Sequence, residues 1–157
     1  MNKKKKKVRL YTDGACSGNP GKGGWGAILI YEGHEKEISG FEPYTTNNRM
    51  ELKAAVEGLK ALKYPCEVEL YSDSSYLVGA FENEWIRNWK TNGWKNSSKD
   101  EVSNRDLWEQ LENLANIHTI KWIKVKGHGD NEYNNRCDKL ATNEIKKHAE
   151  PVNTETE

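Results

Sequence analysis

The chain has 157 residues, which suits one domain built around a single core. Its 24 Lys and Arg balance 24 Asp and Glu, so net charge argues against indiscriminate polyanion binding while leaving local patches open. Cys16, Cys66 and Cys137 are odd in number, far apart and without CxxC spacing, which argues against a disulfide framework or structural zinc and favours a reducing, cytoplasmic setting. No apolar run approaches the ~20 residues that span a bilayer, so no membrane association is expected.

Residues 1–7 read as a basic flexible arm that lacks the apolar stretch of a secretion signal. A domain over 8–148 follows, then an acidic tail over 149–157 expected to be disordered. Within the domain, 8–13 reads as a strand, and Gly14, Gly18, Gly21, Gly23 and Gly24 as a glycine-rich turn. Strands are expected over 25–31 and 35–41, with a hairpin-like break at 32–34. Pro43, Thr45 and Thr46 signal a helix start. Leu52, Ala55, Val56, Leu59 and Leu62 carry the helical spacing onward to near Pro65. A strand over 67–72 follows, then a short helix from Ser74 or Ser75, a helical pattern rich in Trp and cations over 84–94, and a loop over 96–100. The remainder reads as a helix over 106–116, a strand over 119–125, a loop over 126–130 and a terminal helix over 133–148. The order β-β-β-α-β-α-α-β-α implies a mixed sheet with helices packed on it, and ligands of such sheets gather where strands end.

Four carboxylates stand at costly places. Asp13 ends the first strand, Asp73 ends the fourth, Glu51 lies on the helix that carries Ala54 and Ala55, and Asp138 shares a helical face with Ala141 and Ile145. Two such groups about 4 Å apart repel by roughly 4 kcal/mol at an effective dielectric near 20. A divalent cation reverses that sign, so the pattern points to a hard-cation catalytic site.

The motifs, taken together, resemble type 1 (bacterial-like) ribonuclease H. The stretches that carry the resemblance are Tyr11-Thr12-Asp13-Gly14-Ala15-Cys16, Gly18-Asn19-Pro20-Gly21, Thr45-Thr46-Asn47-Asn48-Arg49-Met50-Glu51-Leu52 and Ser72-Asp73-Ser74. Asn88-Trp89-Lys90, Gly93-Trp94-Lys95, Trp122, Val125-Lys126-Gly127-His128 and Asn134-Asn135-Arg136-Cys137-Asp138 complete them, from about residue 8 to 145. The resemblance implies an α/β ribonuclease H-like fold, with a mixed five-stranded sheet and helices on both faces. It implies an endonuclease that hydrolyses the RNA strand of RNA–DNA hybrids with two Mg²⁺ ions, or Mn²⁺ in their place, leaving 5′-phosphate products. Asp13, Glu51, Asp73 and Asp138 are then the metal ligands, and His128 assists proton transfer or product release.

By the same resemblance Cys16, Asn19, Asn47 and Asn48 contact the minor groove, where 2′-hydroxyls distinguish RNA from DNA. Thr46 and Asn104 match positions that hold a DNA-strand phosphate, and Tyr76, Trp85 and Trp89 match an aromatic channel that favours deoxyribose. Trp108 and Trp122 read better as core. Residues 85–95 resemble a basic protrusion, less basic here because Thr91 and Asn92 stand at possible cation positions. Further departures are Ser75 in place of a frequent Gln, Tyr44 in place of an Arg, Asn135 in place of an acid, and Gly129-Asp130 after the histidine. The expected partner is the hybrid duplex, with no obligate protein partner, and the expected state is monomeric. Two alternatives stay open: a binding module that has lost its chemistry, and a nuclease domain of reverse-transcriptase type.

Overall fold

The computed structural model describes residues 5–96, 98–126 and 131–148. Its strands are β1 (Lys6–Ser17), β2 (Gly21–Tyr31), β3 (His34–Thr45), β4 (Cys66–Ser72) and β5 (Thr119–Lys124), joined in one sheet in the order β3-β2-β1-β4-β5. The first three strands form an antiparallel meander, and β1, β4 and β5 run parallel. The helices are α1 (Asn47–Lys60), α2 (Ser75–Glu82), α3 (Trp85–Thr91), α4 (Arg105–Ile117) and α5 (Glu132–Lys147).

The alternating side-chain pattern of the strands assigns the two faces. In β4, Cys66, Val68, Leu70 and Ser72 are buried, whereas Glu67 is exposed and Glu69 and Tyr71 are half-buried. The first set joins Val8 and Leu10 of β1 in the larger core, capped by Leu52, Ala55, Val56 and Leu59 of α1 and by Leu107, Trp108 and Leu111 of α4. Tyr11, Ile28 and Ile30 point the other way and meet Cys137 of α5. Helices therefore cover both faces, α5 lying alone over the meander.

The α1 start is set by Thr46, whose hydroxyl accepts the Arg49 N–H at 3.2 Å as an N-cap. Its apolar stripe then falls on the sheet, and the helix ends at Ala61, short of Pro65.

Several sequence expectations shift. Gly14, Gly21, Gly23 and Gly24 lie inside strands rather than in one long turn, which shrinks to residues 18–20. The reason is packing: a Cβ on Gly14 would stand 2.5 Å from the Glu51 backbone nitrogen, and one on Gly26 would stand 2.6 Å from the Leu140 Cβ. These positions let α1 and α5 approach the sheet backbone. β3 runs on through Pro43 to Thr45, which an outer strand tolerates because the missing N–H breaks no ladder. Three helices separate β4 from β5, matching the three segments expected from Ser74 or Ser75, over 84–94 and over 106–116 and one more than the condensed element order counted; Glu84 in a left-handed conformation (φ 57°) divides α2 from α3. β1 begins at Lys6, so Lys6 and Lys7 pair with Cys66 and Glu67 instead of joining the arm. Residues 149–157 lie outside the described part of the chain.

Gly26→Ala should force α5 off β2, since the added methyl also meets the Cys137 carbonyl oxygen at 2.8 Å. Overpacking of this kind costs about 1–3 kcal/mol. Urea unfolding should show a lower midpoint at unchanged slope.

Candidate metal centre and nucleic-acid interface

Tyr11 of β1 sits opposite Tyr71 of β4 in parallel register, and their rings stack at 4.4 Å. Asp13 and Asp73, each two residues further along, leave the same sheet face at the same end. Glu51 arrives from the helix on the opposite face, passing the bare Cα of Gly14. One carboxylate oxygen from each of Asp13, Glu51 and Asp73 lies within 4.8 Å of the others. Asp13 and Glu51 are each only 5% exposed. The adjacency of the first and fourth strands, and the inward turn of Glu51, thus match the sequence expectation.

Burial first, then the Asp73 and Asp138 charges, push the Asp13 carboxyl up to about 7. Glu51 is raised well above its usual range, again by burial first and then by the charges of Asp13 and Asp73. Burial and mutual repulsion thus hold both carboxyls toward their neutral form when no cation compensates them. The Glu51 Oε1 atom is buried with no hydrogen-bond partner, and the Gly14 N–H reaches Asp13 Oδ1 at 2.9 Å. An orphaned carboxylate oxygen inside an all-oxygen donor set fits a divalent hard cation. Asp138, half-buried on α5, lies outside this tight triplet but close enough for its charge to act on Asp13. His128 falls outside the described residues.

Two further groups of expected site residues converge. Cys16 donates its thiol to the Gly18 and Thr45 carbonyls at 2.8 and 3.3 Å, and the Asn47 N–H donates to Asn19 Oδ1 at 3.0 Å. These bonds tie the β1–β2 turn to the start of α1, so Cys16, Asn19, Asn47 and Asn48 form one rim. Burial holds the Cys16 thiol above its usual pKa, so it serves as a neutral donor. Thr46, Tyr76 and Asn104 are joined through Arg49, which also grips Asp106 with two bonds of 2.9 and 2.7 Å. Sequence reading quoted Arg49 only as part of a motif, since its partner lies 57 positions away.

Trp85 and Trp89 are half-buried, their ring centroids 6.2 Å apart, and both also pack on the main core. Trp108 is wholly buried, and Trp122 stacks on Phe81 at 4.0 Å, as core residues. On α3, Arg87 pairs with Glu84 at 2.8 Å and Lys90 with Glu112 at 2.7 Å, which lowers the positive potential of the protrusion further.

The geometry has counterparts in known proteins. Residues 5–146 match the family model for RNase H. A ribonuclease H of Acetivibrio thermocellus is 71% identical over 144 residues, covering 92% of this chain and 98% of that one. One from Caldanaerobacter subterraneus subsp. tengcongensis is 67% identical, covering 90% and 92%. Among solved structures, LC9-RNase H1, a type 1 RNase H with the type 2 active-site motif, aligns with a TM-score of 0.83 at 28% identity, over 95% of this chain and 76% of that one. LC11-RNase H1, crystallised with an RNA/DNA hybrid, aligns with a TM-score of 0.65 at 25% identity, over 89% and 97%. A fold, an acidic centre and relatives of this identity along nearly the whole length agree: the chain belongs to the ribonuclease H family of hydrolases.

Proposed function

We propose that the protein is an endonuclease that cuts the RNA strand of RNA–DNA hybrids by metal-dependent phosphodiester hydrolysis, leaving 5′-phosphate ends. The observation that carries this reading is the meeting of Asp13, Glu51 and Asp73 around a buried carboxylate oxygen with no protein partner. Their oxygen-only chemistry suits Mg²⁺ or Mn²⁺. Asp13, Glu51, Asp73 and Asp138 would hold two such ions together with substrate phosphate. When bound, those ions supply an activated water and charge stabilisation at the departing 3′ oxygen.

The chain's own residues bind and orient the duplex. The rim of Cys16, Asn19, Asn47 and Asn48 faces the minor groove and offers donors and acceptors to ribose hydroxyls. Thr46 and Asn104 take a DNA-strand phosphate, while Tyr76, Trp85 and Trp89 pack against its sugars. His128 serves proton transfer or product release. The enzyme acts as a monomer in the cytoplasm. No helix among the described residues is long and apolar enough to cross a membrane.

Labelled hybrid, duplex DNA and duplex RNA, each with Mg²⁺ or EDTA, test the reading. Only the RNA of the hybrid should be cut, only with metal, and Asp73→Asn should lose on the order of 10³-fold in rate. Cleavage in EDTA, or of duplex DNA at a similar rate, would overturn it.

The raised Asp13 value makes a second prediction. Because the folded-state pKa (about 7) exceeds the ordinary carboxyl value of 3.8, folding favours the protonated carboxyl, and metal-free stability falls as pH rises between the two. In EDTA, Asp13→Asn should melt roughly 2–8 °C above the parent protein at pH 7.5, equivalent to about 1–2 kcal/mol. The gap should close near pH 4, and Mg²⁺ should narrow it at pH 7.5.

The weakly basic protrusion predicts a shallow salt dependence. Thr91→Lys with Asn92→Arg should steepen the plot of log K against log salt by just under one unit for each new phosphate contact. Equal slopes would exclude a phosphate-tracking role for this segment.

A further inference from the structure

The parallel ladder between β1 and β4 ends at the Tyr11–Tyr71 pair. Beyond it β1 pairs with β2 alone, and β4 stops at Ser72. Backbone hydrogen bonds between the two strands therefore do not fix the separation of Asp13 and Asp73, each two residues further on. The last fixed point before these acids is a column of three rings. Tyr11 stacks on Tyr71 with centroids 4.4 Å apart and planes 10° from parallel. It also stacks on Tyr133 of α5, at 4.9 Å and 26°. Tyr11 is thus enclosed between a ring from β4 and a ring from α5, and it is buried.

The outer rings are held at their far ends. The Tyr71 hydroxyl donates to Glu69 Oε1 at 2.9 Å, and the Tyr133 hydroxyl to Glu35 Oε2 at 2.8 Å. Arg136 binds Glu35 and Glu37 at 2.9 and 2.6 Å. The guanidinium groups of Arg136 and Arg9 lie over the Tyr133 ring at 5.3 and 5.9 Å from its centroid. A contact that only fills space asks for volume; here ring planes and hydroxyl directions are fixed as well.

α5 has a second anchor on the same residue, since the Cys137 thiol donates to the Tyr11 carbonyl at 3.3 Å. Asp138 follows Cys137 directly, one helical turn and a half beyond Tyr133. Its place over the sheet is therefore decided at Tyr11, two residues before Asp13. Repulsion from Asp73 and Asp138, which contributes to the raised Asp13 value, drives α5 away from the sheet. The column opposes that motion.

We propose that Tyr133 is the positioning residue for Asp138: by stacking on Tyr11 it sets how closely the fourth carboxylate stands to Asp13 and Asp73, and so how tightly the acids hold a divalent cation. This rests on the metal-dependent reading above. It gives the two outer tyrosines, which touch neither ion nor duplex, a part in the chemistry through the spacing of the carboxylates.

The test is a double-mutant cycle on the metal-free full chain, read by calorimetric titration with Mn²⁺ and by melting in EDTA. Tyr133→Leu keeps an apolar side chain without a ring. It should melt in one transition and bind Mn²⁺ about tenfold more weakly, the lower end of what partners of metal ligands cost when removed. Tyr133→Phe keeps the ring, loses only the bond to Glu35, and should hold the parent affinity. In an Asp138→Asn background the leucine change should have no further effect. With hybrid present, the leucine variant should need about tenfold more Mg²⁺ for half-maximal kcat, with KM for the hybrid unchanged. If the leucine variant does not fold, Arg136→Met, which removes the cation over the Tyr133 ring, should show the same pattern with a loss of about threefold. Unchanged Mn²⁺ affinity in Tyr133→Leu, an equal loss in Tyr133→Phe, or a loss that persists in the Asp138→Asn background would overturn the proposal. Absence of Mn²⁺ binding by the parent protein would instead remove the reading on which it rests.

Discussion

Everything in this fold bends toward gathering like charges where water cannot screen them. Asp13 and Glu51 are nearly inaccessible, and Asp73 completes a triplet within 4.8 Å. Without a counter-ion this arrangement opposes folding, and the raised carboxyl values of Asp13 and Glu51 record that opposition. The sheet and α1 must therefore supply enough packing to hold the acids in place. They do so through Leu10, Leu52, Ala55, Leu59 and Leu70, all fully buried on β1, α1 and β4. The strain is local and chemical: a site that repels itself is one that a divalent cation stabilises.

Much of this was legible before any coordinates. Asp13 and Asp73 each close an apolar run of similar pattern, which pointed to the β1–β4 pairing because ligand sites of α/β sheets collect at strand ends; β1 itself does not end there but continues past Asp13 to Ser17, paired beyond Tyr11 with β2 alone. Helical spacing around Glu51 put its inward face in view, since Ala54 and Ala55 leave room for the sheet. What could not be read was anything decided by backbone-to-backbone distance. Glycines 14, 23 and 24 carry turn propensity, and only the proximity of α1 and α5 shows why they sit in strands, while Gly21 packs on the Ser17 and Gly18 carbonyls of the adjoining turn. The backbone device that divides α2 from α3 was hidden for a related reason: a left-handed Glu84 has no sequence signature as a glycine would. Arg49 escaped notice because long-range ion pairs leave no periodicity.

One helix couples chemistry to grip. The first turn of α1 presents Asn47 and Asn48 outward, caps itself with Thr46 and sends the Arg49 guanidinium toward α4. Its next residues bury Met50, Glu51 and Leu52. A rotation of α1 by a single position would withdraw Glu51 from the acids and break the link to Asn104 together. The cap at Thr46 and the missing side chain at Gly14 therefore guard a shared register, and residues far from the reacting bond can alter the rate through it.

Net neutrality conceals a division of labour. A duplex approaching this surface meets three clustered carboxylates, and a phosphate group brought beside them would be repelled unless positive charge lay between. Phosphate affinity in the surrounding surface must offset that repulsion, yet Arg87 and Lys90 on α3 are engaged by Glu84 and Glu112. On the proposed reading, neutral amides, a thiol and hydroxyls would carry much of the recognition, which favours shape and hydrogen-bond direction over long-range attraction. The acidic centre adds to that selectivity, because a duplex gains from it only where a cation and a phosphate share the same carboxylates.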